Sequence, residues 1–133
     1  LLDGDEFFAD WDRKHSYNAT LEMEPASGIR LNLSWLMMSG APNKLSVFGN
    51  DTLERLDSYQ RLDASLSYKF QFQNSSVIDL RFSVYNLLDA ENVLFRNFIF
   101  TFDETRSIPR LRPLPVDVLD LGIQPSFMIK FMF

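Results

Sequence analysis

The sequence predicts an all-β, antiparallel fold, and three observations predict it. Apolar and polar residues alternate over several stretches, the period of a strand whose successive side chains point to opposite faces. Turn-forming residues punctuate these stretches, and no candidate helix, repeat or domain linker appears between them. The chain closes on Pro125–Phe133, where Phe127, Ile129, Phe131 and Phe133 share one face and Ser126, Met128, Lys130 and Met132 the other.

Residues 1–11 are acidic and aromatic and read as a loop or the end of a preceding strand. From Asp12, His15, Tyr17, Ala19, Leu21 and Met23 alternate with Ser16, Asn18, Thr20, Glu22 and Glu24. Pro25–Gly28 makes a turn. Ile29, Leu31, Leu33, Trp35 and Met37 then line the next strand, so Leu21 should lie near Leu31 and Glu22 near Arg30, within a register error of about two residues. Gly40–Ser58 shows little periodicity and reads as a long loop, a length that usually signals function.

Tyr59–Phe70 alternates most cleanly. Leu62, Ala64, Leu66, Tyr68 and Phe70 oppose Arg61, Asp63, Ser65, Ser67 and Lys69. A polar turn over Gln71–Ser76 leads to Val77–Asn86, with Lys69 expected beside Asp79 and Leu66 beside Phe82. Asn86–Asn92 interrupts the pattern, and Val93–Phe102 resumes it. Residues 103–115 carry Pro109, Pro113 and Pro115 and read as a loop. The last strand is expected over roughly Val116–Phe133, with Gly122 and Pro125 marking a bend or bulge.

Composition narrows the class. The 133 residues include 13 Phe and no Cys, with a net charge of −5. No disulfide or thiolate metal site is available, and the acidic balance argues against nucleic acid as a partner. No run reaches the roughly 18 apolar residues of a transmembrane helix, but barrel strands leave a weaker trace. The start of the chain lacks the pattern of a signal peptide.

Alternation fits either a soluble sandwich, with its apolar face inward, or a transmembrane barrel, with that face towards lipid. Aromatic residues at strand ends (Tyr17, Trp35, Tyr59, Tyr68, Phe70, Phe131, Phe133) favour the barrel. So do loops that alternate short and long, and a final strand closing on Phe. With the C-terminus in the periplasm, loop parity requires five strands. Segment 77–102 then ascends as one long strand, with 40–58 and 103–115 outside.

No catalytic or metal site is expected. His15 is the single histidine, and no second ligand is spaced to join it. Arg61, Asp63, Lys69, Asp79 and Arg81 read as a charge ladder on the polar face rather than as acid–base catalysts. Nucleophile-elbow and phosphate-loop motifs are absent. No cofactor is implied, and the protein is not expected to be an enzyme. Ligand contacts are expected from the two outer loops, through Phe48, Asn50, Asp51, Arg106, Arg110 and Arg112.

The stretches Arg61–Phe70 (RLDASLSYKF), Leu80–Asp89 (LRFSVYNLLD) and Pro125–Phe133 (PSFMIKFMF), in this order, resemble the C-terminal end of TonB-dependent outer-membrane receptors of the Bacteroidetes type. Ser39-Gly40-Ala41-Pro42 after an aromatic strand also fits, and the similarity covers about residues 12–133. The resemblance implies a 22-stranded barrel plugged by an N-terminal domain, of which residues 1–133 supply the last five strands. It implies TonB-driven uptake of a scarce ligand across the outer membrane of a Gram-negative bacterium. The implied partners are the rest of the barrel and the plug, the TonB complex, the lipid bilayer and the barrel-assembly machinery, which reads the terminal aromatic strand Phe127–Phe133. Neither plug nor TonB box lies in this sequence, so a fragment or a split chain completed by another polypeptide is expected. The alternative is a soluble all-β ligand-binding module.

Overall fold

The computed structural model describes residues 9, 12–47, 50–72, 76–103 and 110–133, with backbone alone for 44–47, 50–54, 103 and 110. These residues form nine strands: β1 (Ser16–Ala26), β2 (Ile29–Met38), β3 (Pro42–Val47), β4 (Asn50–Arg55), β5 (Tyr59–Gln71), β6 (Val77–Tyr85), β7 (Val93–Asp103), β8 (Arg110–Leu119) and β9 (Gln124–Met132). Five of them make one antiparallel sheet in the order β1-β2-β5-β6-β9, and β3–β4 and β7–β8 form separate two-stranded sheets. The all-β antiparallel expectation therefore holds, with five strands in the main sheet. The sheet is open, with β1 and β9 at its edges.

Alternation sets the register. Lys69 pairs with Asp79 and Leu66 with Phe82, as the pattern of the two strands requires. The first hairpin is offset by two residues from its expected register. Leu21 pairs with Leu33 and Glu22 with Asn32, because β1 runs on through Pro25 and shifts between Met23 and Ala26. The turn is thus only Ser27-Gly28, with Gly28 at a φ of 79°. A Cβ at Gly28 would lie 2.8 Å from the Lys69 carbonyl oxygen, so position 28 needs glycine on both counts. Glu22 still reaches Arg30, at 3.1 Å, but as a diagonal pair.

Both segments read as long loops are mostly strand. Residues 42–55 hold the β3–β4 hairpin, which keeps the register of β2 with β5: Met38 faces Tyr59, and Pro42 faces Arg55. The Leu56 N–H donates to the Ala41 carbonyl at 2.9 Å between them. A hairpin that inherits its register needs no apolar face of its own, so the sequence pattern does not reveal it. Approach at the joint is close. A Cβ on Gly40 would sit 1.6 Å from the Leu56 carbonyl oxygen.

Residues 110–115, expected as loop, belong to β8 despite two prolines. Pro113 and Pro115 face Phe100 and Phe98. Being two apart, they turn their missing donors to the same side, which an edge strand tolerates. The final strand is correspondingly two strands, β8 and β9, broken at 120–123. Segment 77–102 is likewise β6 and β7, which lie in different sheets. The break between β6 and β7 spans seven residues (86–92) against four (120–123) between β8 and β9. Two non-glycine residues in the left-handed region, Asn86 (φ 51°) and Asp89 (φ 48°), take up the excess.

Candidate functional site

The main sheet has two faces of opposite character, set by period-two alternation carried across five registers. On one face lie Leu21, Leu33, Ala64, Val84 and the alternate residues on either side of them along each strand. Phe82 pairs there with Phe127, Leu80 with Ile129 and Ile78 with Phe131. No charged residue occupies a registered position on this side. Nothing in the described structure covers it: Phe82, Phe127, Ile129 and Phe131 are all exposed, Phe127 at 64%. Ala41, Leu56 and Tyr59 are the buried hydrophobic residues among those described, too few for a core.

The opposite face is polar. One cross-strand row runs Glu22, Asn32, Ser65, Ser83, Ser126, and the next contains Thr20, Ser34 and Asp63. These short side chains leave a shallow depression of about 320 Å³ over Ser34, Asp63, Ser65, Ser83 and Ser126. Towards the β2–β5 and β9–β6 ends marked by Ile29 and Met132, the face carries Arg30, Lys69, Asp79, Arg81 and Lys130.

At the other end, where β6 leaves the sheet, the polar groups are tightly satisfied. Asp120 Oδ2 accepts hydrogen bonds from the Tyr59 hydroxyl at 2.6 Å and the Tyr85 hydroxyl at 2.8 Å. The Arg61 guanidinium donates to both hydroxyls, at 3.1 and 2.8 Å, and its carbon lies 4.4 Å over the Tyr85 ring. Arg61 also pairs with Asp63 at 3.1 Å. Partial burial opposes ionisation of Asp120. The two tyrosine hydroxyls, the Leu121 N–H and the Arg61 charge outweigh that effect and hold its carboxyl below the usual range.

Two asparagines complete this junction. Asn86 and Asn92 are 0% and 1% exposed. The Asn86 amide donates to the carbonyls of Ala90 (3.1 Å) and Leu121 (3.0 Å), and its oxygen accepts from the Ala90 N–H at 3.1 Å. The Asn92 oxygen accepts from the Gln60 N–H and its amide donates to the Gln60 carbonyl, at 2.9 and 2.8 Å. One side chain thereby substitutes for a strand neighbour of β5. Asp89 Oδ1 accepts from the Ile123 N–H at 2.9 Å. A Cβ on Gly122 would come within 2.9 Å of that same carboxylate oxygen.

The described members of the expected ligand-binding set fall on two different hairpins. Phe48 and Arg106 lie outside the described residues. Asn50 and Asp51 fall at the start of β4, and Arg110 and Arg112 at the start of β8, in separate two-stranded sheets. Strands rather than loops set their placement. The closing residues Phe127, Ile129 and Phe131 line the apolar side of β9, and Phe133 lies just beyond its end. A cleft of about 370 Å³ opens between the hairpin bases, lined by Ala41, Pro42, Asn43 and Leu56 on one side and Leu94–Asn97 on the other. Sequence reading missed it because the residues of β3 and β7 lie far apart in the chain. It also missed the Asn86–Asn92 junction, although Asn and Asp at a break in alternation are the residues that accept left-handed backbone. Among the described residues, no group of three or more His, Cys, Asp or Glu is placed to hold a metal. No family model, curated protein or solved structure matches the chain.

Proposed function

We propose that residues 1–133 form the closing wall of a transmembrane β-barrel in the outer membrane of a Gram-negative bacterium. The barrel belongs to the TonB-dependent receptor class and takes up a scarce ligand. One observation carries this reading: a five-stranded antiparallel sheet presents an uncovered apolar face without a charged residue, opposite a polar face. Lipid covers the first, and the lumen receives the second. A soluble binding module would instead need those apolar residues to meet in a core, and the described residues supply no second layer.

In this reading β9 descends, so Phe133 lies at the periplasmic rim and the hairpins β3–β4 and β7–β8 project outside. Five strands cannot close a cylinder. The free edges of β1 and β9 pair with strands from elsewhere, since each unpaired backbone group in lipid costs several kcal/mol. The plug and the TonB-contacting segment likewise come from outside residues 1–133, and the terminal aromatic strand is read by the assembly machinery. The ligand enters from the side of the two hairpins.

Trp35 sits on the apolar face and gives a direct test. The complete protein, with Trp11→Phe and with other tryptophans outside residues 1–133 replaced, is reconstituted into vesicles of brominated lipid. Strong quenching of Trp35 is expected, whereas emission unchanged from that in unbrominated vesicles would refute the membrane placement.

A further inference from the structure

We propose that the cleft between the two hairpin bases binds a short, extended, uncharged peptide arriving from outside, which docks against the free edge of β7. This rests on the barrel reading above and names the chemical class of its ligand.

β5 and β6 are neighbours in the main sheet, but the strands that continue them part. β4 carries on from β5 and β7 follows β6, yet each pairs only with its own hairpin partner. No backbone hydrogen bond among the described residues joins β4 to β7. Two strand edges with unpaired N–H and C=O groups therefore border the gap, each a template for a further strand. The cleft of about 370 Å³ lies at its foot, with Leu56 on one side and Leu94–Asn97 of β7 on the other.

Asn43 supplies a polar group for recognition. It is 8% exposed, and its side-chain amide bonds to no described residue. Among the described residues, Asp79 Oδ1 is the only side-chain atom fully enclosed without a partner, so the Asn43 amide is still reached from the cleft it lines. A nearly buried carboxamide without a partner is costly, and native structures rarely leave one so. Asn92 shows what such a group does in this protein: its oxygen accepts from the Gln60 N–H and its amide donates to the Gln60 carbonyl. Asn43 offers the same donor and acceptor to one peptide unit of a guest.

Charge and shape narrow the guest. Arg96 is the one charged residue among the described lining residues, and Asp117 neutralises it through two hydrogen bonds across the hairpin. An ionised group would enter without a counter-charge. Leu56, Leu94 and Phe95 give apolar surface for side chains. A neutral oligosaccharide would satisfy Asn43 as well, but it would leave the strand edges unpaired, so a peptide fits better.

The test is affinity selection by the purified full-length protein in detergent. The probe is a mixture of terminally blocked hexapeptides of Ala, Ser, Thr, Val and Phe, and retained peptides are identified by mass spectrometry. Retention is expected, about tenfold weaker in Asn43→Leu. It should be lost when every residue of the peptides is N-methylated, which removes the backbone donors and keeps the side chains. That comparison uses the unaltered protein and stands even if the variant fails to fold. No retained peptide, equal retention of the N-methylated forms, or displacement by maltotriose overturns the proposal alone. Failure of the barrel reading is read separately: Trp35 emission unchanged in brominated lipid overturns it, and the peptide as its ligand with it.

Discussion

Asn86 is fully buried where β6 ends. Its side chain makes three hydrogen bonds, two closing the turn onto Ala90 and one reaching Leu121 ahead of β9, and its backbone adopts a φ of 51°. Asn86→Ala should therefore destabilise the protein by about 3 kcal/mol, from unsatisfied buried carbonyls and a strained backbone together. Asn86→Gly keeps the backbone and should recover part of that loss, measurable by unfolding in urea in lipid or detergent. Asp120 makes a pH prediction. Its folded pKa is depressed, so its contribution is complete above the unfolded carboxylate value of about 3.9 and disappears as pH falls through the lower folded value. The groups facing it are Tyr59, Tyr85 and Arg61, with Asp63 behind Arg61. Protease cleavage within β7–β8 should be unchanged between pH 5 and 8 (about the range above both values) and rise below about pH 4. In Asp120→Asn it should be raised already at neutral pH and show little of that acid step.

Strands repeat the same logic on a longer scale. β5 and β6 could be registered from sequence because both faces matched at once, Lys69 with Asp79 and Leu66 with Phe82. For β1 and β2 the turn decided, and a shift before Ala26 moved the pairing by two. β3 and β4 were hidden because register, rather than apolar patterning, makes them. Gly40 is their weak point: Gly40→Ala should separate the β3–β4 hairpin from the main sheet, seen as faster hydrogen exchange at Leu56 with little change in β5. Position on the sheet should also set tolerance to charge. With the proposed lipid placement, Phe82→Arg on the apolar side should cost about 2–4 kcal/mol. Ser83→Arg, one residue away on the polar side, should cost less than about 1 kcal/mol. Equal losses at both positions in chemical unfolding would contradict the assignment of faces.

For the whole molecule, the open sheet makes a prediction about isolation. Its two edges and bare apolar face leave large areas that favour association in water. Residues 1–133 expressed alone should elute as aggregates or mixed oligomers in plain buffer and disperse only in detergent. A monodisperse, cooperatively unfolding monomer by size exclusion and calorimetry would favour a soluble module.

The amino-acid sequence by itself determined which residues share a face, because alternation with period two depends on the strand alone. Phe127, Ile129, Phe131 and Phe133 could be grouped without knowing their neighbours. It also determined the register of the β5–β6 hairpin, where charge and apolar matches agreed. Tertiary structure alone decided the contacts between residues distant in the chain that carry no such match. Asn92 fills a strand's place beside Gln60, Asp120 gathers Tyr59 and Tyr85, and β3–β4 inherits the register of β2–β5. Each depends on a partner without a periodic signature, so no local pattern could announce it.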